Sequence, residues 1–330
     1  MGMGAGRTLW RLALLGGFLV AATAVAEEPP AGADRSQFDC GQVADWAPPD
    51  TPLEWFERSL WANHCYVFQA RAVRISIDGV RTVALSHEVR DGIEREEARF
   101  LDGPPVVFER RGRIGRLTWT SGAADAPASP AGITEHLERF YQLSLGDEAR
   151  IANRQAVRLD IEPLDDLRYG HRLWLDVQTA LPLKQQLLDE EGRVVETFQF
   201  TELQRPRLHG GGVLIDERRT PPPRSWEPGW LPDGFIAQPV DTRSRRHGDS
   251  VGHRIYSDGL ATLSVFVEPL DEGRARLLPG LHRLGISLAV VRHLSVAEGA
   301  VQLVVMGELP PRVLVQVAEN LVWDEGAQRR

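Results

Sequence analysis

Apolar and polar residues alternate with a period of two through long stretches of this chain, and that pattern governs most of what the sequence predicts. Across residues 66–119, short β-type segments are separated by turn signals: Asp78-Gly79, Asp91-Gly92, Asp102-Gly103-Pro104-Pro105 and Arg111-Gly112. Val73, Ile75 and Ile77 alternate with Arg74 and Ser76, and Val83 and Leu85 alternate with Ala84 and Ser86. One face of each segment is therefore apolar and the other polar, while Asp-Gly supplies the positive φ that tight hairpins require. The stretch predicts an antiparallel meander. More strands are expected over 155–161, 168–177, 181–188 and 194–203, with Glu191-Gly192 as one of the turns. Trp174, Leu183, Leu187, Phe198 and Phe200 are candidates for the inner face.

Helical spacing interrupts the alternation in three places. Thr51-Pro52-Leu53-Glu54 reads as a capping box that starts a helix running to about Trp61, with Leu53, Phe56 and Leu60 on one stripe. A loop rich in Ala, Pro, Gly and Ser (121–132) precedes a short helix over 133–141. Near the C-terminus, Pro310-Pro311 opens a third helix whose Val313, Leu314, Val317 and Leu321 share a face.

Gly210-Gly211-Gly212 and Pro221-Pro222-Pro223 mark a break in the pattern. We therefore divide the chain into 27–209, a large β domain; 210–230, a linker; and 231–325, a smaller domain. Strands over 235–240, 252–256, 260–267, 286–293 and 301–306 are expected in the last of these. The fold class is α+β: a large curved antiparallel sheet with helices on its concave side, plus a smaller α+β C-terminal domain.

Arg7 and Arg11, followed by an apolar stretch that ends in Ala24-Val25-Ala26, predict a signal peptide over 1–26. An uncleaved anchor is the alternative. Removing the leader takes the net charge from −8 to −10, a balance that offers nothing to nucleic acid. Cys40 and Cys65 both lie in the exported part, where a disulfide persists. The alternative is two buried thiols.

Catalytic and cofactor motifs of the familiar kinds do not occur: there is no Cys-x-x-Cys, His-Glu-x-x-His, phosphate loop or Gly-x-Ser-x-Gly. Neither an enzyme nor a cofactor or metal site is expected. Asp165-Asp166 and Glu96-Glu97 are adjacent pairs, which on a strand point to opposite faces. Two features suit binding instead. The first is a concave apolar face, with Phe68, Val73, Ile75, Ile77, Val83, Leu85, Phe100, Val106, Phe108, Leu117, Trp119, Trp174 and Phe198 as candidate lining. Alternation does not say whether the space behind that face is open or filled by helices. The second is Arg243-Ser244-Arg245-Arg246-His247, whose Arg243, Arg245 and Arg246 suit carboxylates or phosphates; a solvated loop is the other reading.

Several blocks resemble one family. Leu101-Asp102-Gly103-Pro104-Pro105, Glu109-Arg110-Arg111-Gly112, Tyr169-Gly170-His171-Arg172-Leu173-Trp174 and Leu181-Pro182-Leu183-Lys184 resemble the large domain of the MucB/RseB family. Leu231-Pro232-Asp233-Gly234-Phe235, Tyr256-Ser257-Asp258-Gly259-Leu260, Ser264-Val265-Phe266-Val267-Glu268-Pro269 and Met306-Gly307-Glu308-Leu309-Pro310 resemble its C-terminal domain. The resemblance implies a lipoprotein-carrier-like unclosed β-barrel around an apolar cavity. It also implies a periplasmic negative regulator of a sigma-E type sigma factor, which binds the periplasmic domain of an anti-sigma factor (RseA/MucA-like) and protects it from regulated proteolysis. Lipopolysaccharide or lipoprotein acyl chains are the implied releasing ligands. A carrier without a signalling partner is the alternative, and self-association into a homo-oligomer stays open.

Overall fold

A computed structural model describes residues 37–103, 107–111, 130–214, 226–238, 252–270, 277–296 and 299–323. Strand β1 (Gln37–Asp39) and a 3-10 turn (Cys40–Asp45) lead to helix α1 (Pro52–Cys65). Four strands follow: β2 (Tyr66–Ser76), β3 (Gly79–Arg90), β4 (Ile93–Phe100) and β5 (Val107–Arg111). After helix α2 (Pro130–Glu138) come β6 (Tyr141–Leu145), β7 (Ala149–Ile151), β8 (Arg154–Pro163), β9 (Gly170–Asp176), β10 (Pro182–Leu188) and β11 (Val194–Leu208). Beyond these lie β12 (Gly212–Leu214), β13 (Trp226–Pro228), β14 (Ile236–Gln238), β15 (Gly252–Ser257), β16 (Thr262–Pro269), β17 (Gly280–Leu284), β18 (Ser287–Val296) and β19 (Gly299–Gly307). Helix α3 (Pro311–Glu319) and β20 (Leu321–Trp323) end the described chain.

Among the described residues, ten strands form one antiparallel sheet in the order β5-β4-β3-β2-β11-β10-β9-β8-β6, with β7 also paired to β8. The order does not return on itself, so the barrel is unclosed. Most neighbours in this sheet are also neighbours in sequence, as the meander predicted. At the β3–β4 hairpin, Asp91 and Gly92 both take positive φ, 54° and 74°, as a two-residue loop of this hand demands.

Helices α1 and α2 cover one region of the sheet. Trp55, Phe56 and Leu60 of α1 and Ile133 and Leu137 of α2 pack with Tyr141, Leu159, Ile161, Leu173 and Leu175 in a single cluster. Helix α1 begins at the expected capping box, Thr51 accepting from the Glu54 amide while Glu54 accepts from that of Thr51. It continues past Trp61 to Cys65, which is bonded to Cys40.

The smaller sheet runs β14-β15-β16-β19-β18-β17, and α3 packs on β18 and β19 through Val313, Leu314 and Val317. Leu321, expected on that helix, instead begins β20, because the helix stops at Glu319 and the chain turns to pair with β13. Among the described residues, no helix is long and apolar enough to cross a membrane.

Candidate ligand cavity and domain seam

A cavity of about 540 Å³ opens on the inner face of the large sheet, within the range typical of small-molecule sites. Strand register explains its lining. Ala72, Val83 and Phe100 form one row across β2, β3 and β4, and Ala70, Leu85 and Ala98 the next. On β11, Phe200 lies beside Ala72 and Phe198 beside Arg74. Phe68, Val83, Leu85, Ala98, Phe100, Phe198 and Phe200 all line the space, with Asn63 at the end of α1 and Leu181, Pro182 and Gln185 around β10. Arg74 and Glu196, paired with each other, contribute the charged part of the wall, along with Glu96. The remaining wall belongs to the C-terminal part: Leu284, Ile286, Ser287 and Glu308.

Of the residues predicted to line a cavity, Phe68, Val83, Leu85, Phe100 and Phe198 are brought together here. Val73, Ile75 and Ile77 are not among the lining residues, because β2 presents its even-numbered positions inward. Ile75 is 45% exposed and Ile77, in the turn, 70%. The error was one of parity. Small Ala70 and Ala72 leave room for the rings of Phe68 and Phe200, while the β-branched residues on the other face satisfy strand preference rather than burial. Trp174 also stays off the cavity, its ring centroid 4.2 Å from the Lys184 ammonium. Val106, Leu117, Trp119, Arg243, Arg245 and Arg246 lie outside the described residues, as does the side chain of Phe108.

Sequence reasoning missed a buried ionic network at the seam between the two sheets. Arg168 has a side chain with 0% exposure, and its Nη1 donates to Asp258 Oδ2 at 2.8 Å, also 0% exposed. Its Nε donates to Asp165 at 3.0 Å and its Nη2 to the Asp233 carbonyl at 2.8 Å. The guanidinium also sits over the rings of Phe140, Tyr141 and Phe235. Tyr141 donates its hydroxyl to Asp258 Oδ2 at 2.8 Å, and Asp258 Oδ1 accepts from the amides of Leu260 and Ala261. Burial, reinforced by the Asp258 carboxylate, pushes the Tyr141 phenol well above its ordinary value, so it stays a donor.

Further contacts extend the seam. The Gly234 carbonyl lies 2.9 Å from His136 Nε2, and a Cβ at Gly234 would stand 2.4 Å from the Phe140 ring, a clash only glycine avoids. Arg312 of α3 reaches Asp166 at 2.7 Å and Glu190 at 2.8 Å. The adjacent Asp165 and Asp166 thus serve different arginines. The available signal was in the blocks Tyr256-Ser257-Asp258-Gly259-Leu260 and Leu231-Pro232-Asp233-Gly234-Phe235, which the sequence analysis used only for the family resemblance.

Residues 51–223 match the profile of the MucB/RseB N-terminal domain, and residues 220–322 that of the MucB/RseB C-terminal domain. The chain belongs to the MucB/RseB family. It is 33% identical over 298 residues to the sigma factor AlgU regulatory protein MucB of Pseudomonas aeruginosa, spanning 84% of this chain and 92% of that protein. The sigma-E factor regulatory protein RseB of Escherichia coli is 26% identical over 283 residues, covering 79% of this chain and 87% of the relative. A crystal structure of MucB in complex with MucA(peri) aligns with a TM-score of 0.61 at 32% identity, over 82% of this chain and 98% of that one. The complex of Pseudomonas aeruginosa MucA/MucB aligns equally well, at 30% identity and over 83% and 99%. The chain carries both domains of the family.

Proposed function

We propose that this MucB/RseB-family chain is exported by its N-terminal leader and acts in the periplasm as a regulatory binding protein. It holds the periplasmic part of an anti-sigma factor, protects it from regulated proteolysis, and releases it on sensing lipid or lipopolysaccharide. The observation that carries this reading is the two-domain match to MucB, two of whose solved structures contain MucA. The named relatives are regulatory proteins of sigma factors, in keeping with this reading.

The construction of the cavity favours one ligand class. Its sheet wall is built from β2, β3, β4, β10 and β11, each flanked on both sides by hydrogen-bonded neighbours. The backbone groups of that wall are committed to ladders, so a peptide lodged there would have only side chains such as Asn63, Gln185 and Ser287 to pair its amides, and each amide left unpaired would cost roughly 2–7 kcal/mol. An acyl chain carries no such groups. Each methylene it buries contributes about 0.8 kcal/mol. Arg243, Arg245 and Arg246 remain our candidates for a charged contact to the partner, on the strength of arginine's match to carboxylates and phosphates.

The test is capture of a purified anti-sigma periplasmic domain by the mature protein, repeated with lipopolysaccharide. Retention without lipid and loss with it is the expected result. Capture that ignores every lipid tried would leave the partner role and remove the switch; no capture at all would remove both. Replacing the three arginines by glutamine is expected to weaken capture.

A further inference from the structure

The cavity has walls from two parts of the chain, and they are held very differently. The sheet wall is continuous ladder. Most of the opposite wall, Glu308 apart, is the tight turn between β17 and β18, which is seated at two places. Ile286, 8% exposed, packs with Tyr169 and Leu187. Gly285 lies against the β2–β3 hairpin, where a Cβ would stand 3.3 Å from the Asp78 carboxylate and 3.6 Å from the Arg74 guanidinium. Arg74 thus touches the turn, pairs with Glu196 and lines the cavity.

Movement at this turn breaks little. Among the described residues, β17 is the last strand of its sheet and pairs only with β18, and Leu281 and Leu284 are more than half exposed. The Arg168–Asp258 network, by contrast, fixes another part of the same seam with charges that have no access to water. Segments with few buried contacts open at lower free energy than ladders or satisfied buried networks.

We propose that the β17–β18 turn is the movable wall of this cavity. A chain filling the cavity pushes the turn away while the Arg168–Asp258 anchor holds. The inference rests on the acyl reading of the cavity given above. The ligand acts by binding the open arrangement better than the closed one, so loosening the turn in advance tightens ligand binding.

The experiment uses the full mature chain with its native disulfide, carrying spin labels on Val80→Cys and Leu281→Cys across the movable wall. A second protein carries them on Leu164→Cys and Val322→Cys as a reference away from the wall. Dodecanoic acid is the probe, with butanoic acid as a short control, and binding is followed separately by calorimetry. Bound dodecanoate is expected to lengthen the Val80–Leu281 distance and leave the reference pair unchanged. Leu187→Ser, which removes the seat of Ile286 without changing the cavity lining, is expected to lengthen it without ligand and to bind dodecanoate severalfold more tightly. Dodecanoate that binds without changing the distance overturns the movable wall and leaves the acyl site standing. Dodecanoate that does not bind overturns both.

Discussion

A guanidinium without exposed surface is tolerable only when its charge and its donors all meet partners, and Arg168 meets that condition with groups from both domains. Arg168→Met strands the Asp258 carboxylate, and the expected loss is about 3–5 kcal/mol, read from the urea midpoint. The pair Arg168→Met/Asp258→Asn removes the stranded charge and keeps an acceptor for the Leu260 and Ala261 amides. It should be more stable than Arg168→Met alone; additive losses would refute the pairing. His87 supplies a second residue-scale prediction. It is 2% exposed, lies against the Phe68 ring, and its Nδ1 bonds the Tyr66 carbonyl, which can only accept, so the proton resides on Nδ1. Burial pushes its pKa below the ordinary value, against the raising influence of that bond and of Glu94 and Glu88; His64 acts in the same direction as burial. The unfolded state then takes up a proton near the ordinary histidine value of about 6.5 while the folded state resists. Stability present above that pH falls as the pH drops through it towards the folded value. Urea midpoints at successive pH values should show the decline, and His87→Phe should flatten it. Neither residue was legible in the sequence, because period-two alternation reports which face is apolar and is silent on which charge lies beneath it.

Helix α1 illustrates what local chemistry does disclose. Its start was readable because a capping box is written in four consecutive residues, and Thr51→Ala should cost about 1 kcal/mol by thermal or urea unfolding. Its end was not, since nothing near Trp61 stops a helix; the stop comes at Cys65, where the disulfide to Cys40 and the start of β2 take over. Closing this loop stabilises by about 3 kcal/mol in the chain-entropy model. The Cys40→Ala/Cys65→Ala protein should lose stability of that order, and a urea midpoint equal to the parent's would contradict it. Strand positions were equally legible from their turns, but the face of β2 was not. Hydrophobicity favoured Val73 and Ile75, whereas the inner row is Phe68, Ala70 and Ala72, which only the register with β3 and β11 reveals.

At the scale of the molecule, two domains and an open sheet could be read from the hydrophobic pattern and its repeated hairpins, but the cavity's second wall could not. It is made by Leu284, Ile286, Ser287 and Glu308, which lie far along the chain from the sheet they face, and no local pattern signals so distant a contact. With the cavity as the proposed ligand site, ligand response should be separable from folding and from partner capture. Ala98 lines the cavity and is only half-buried, so Ala98→Trp extends an indole into space already empty. Overpacking a filled core costs roughly 1–3 kcal/mol; here the loss of stability read from the urea midpoint should be smaller than that. Capture of the anti-sigma periplasmic domain should persist, because the substitution leaves the seam network and the outer surface of the small domain untouched. Dodecanoate binding, and release of the captured partner by lipopolysaccharide, should both be lost. A variant that still releases its partner on lipid addition would place the sensing site elsewhere in the chain, and one that neither captures nor releases would mean that the cavity and the partner surface are the same.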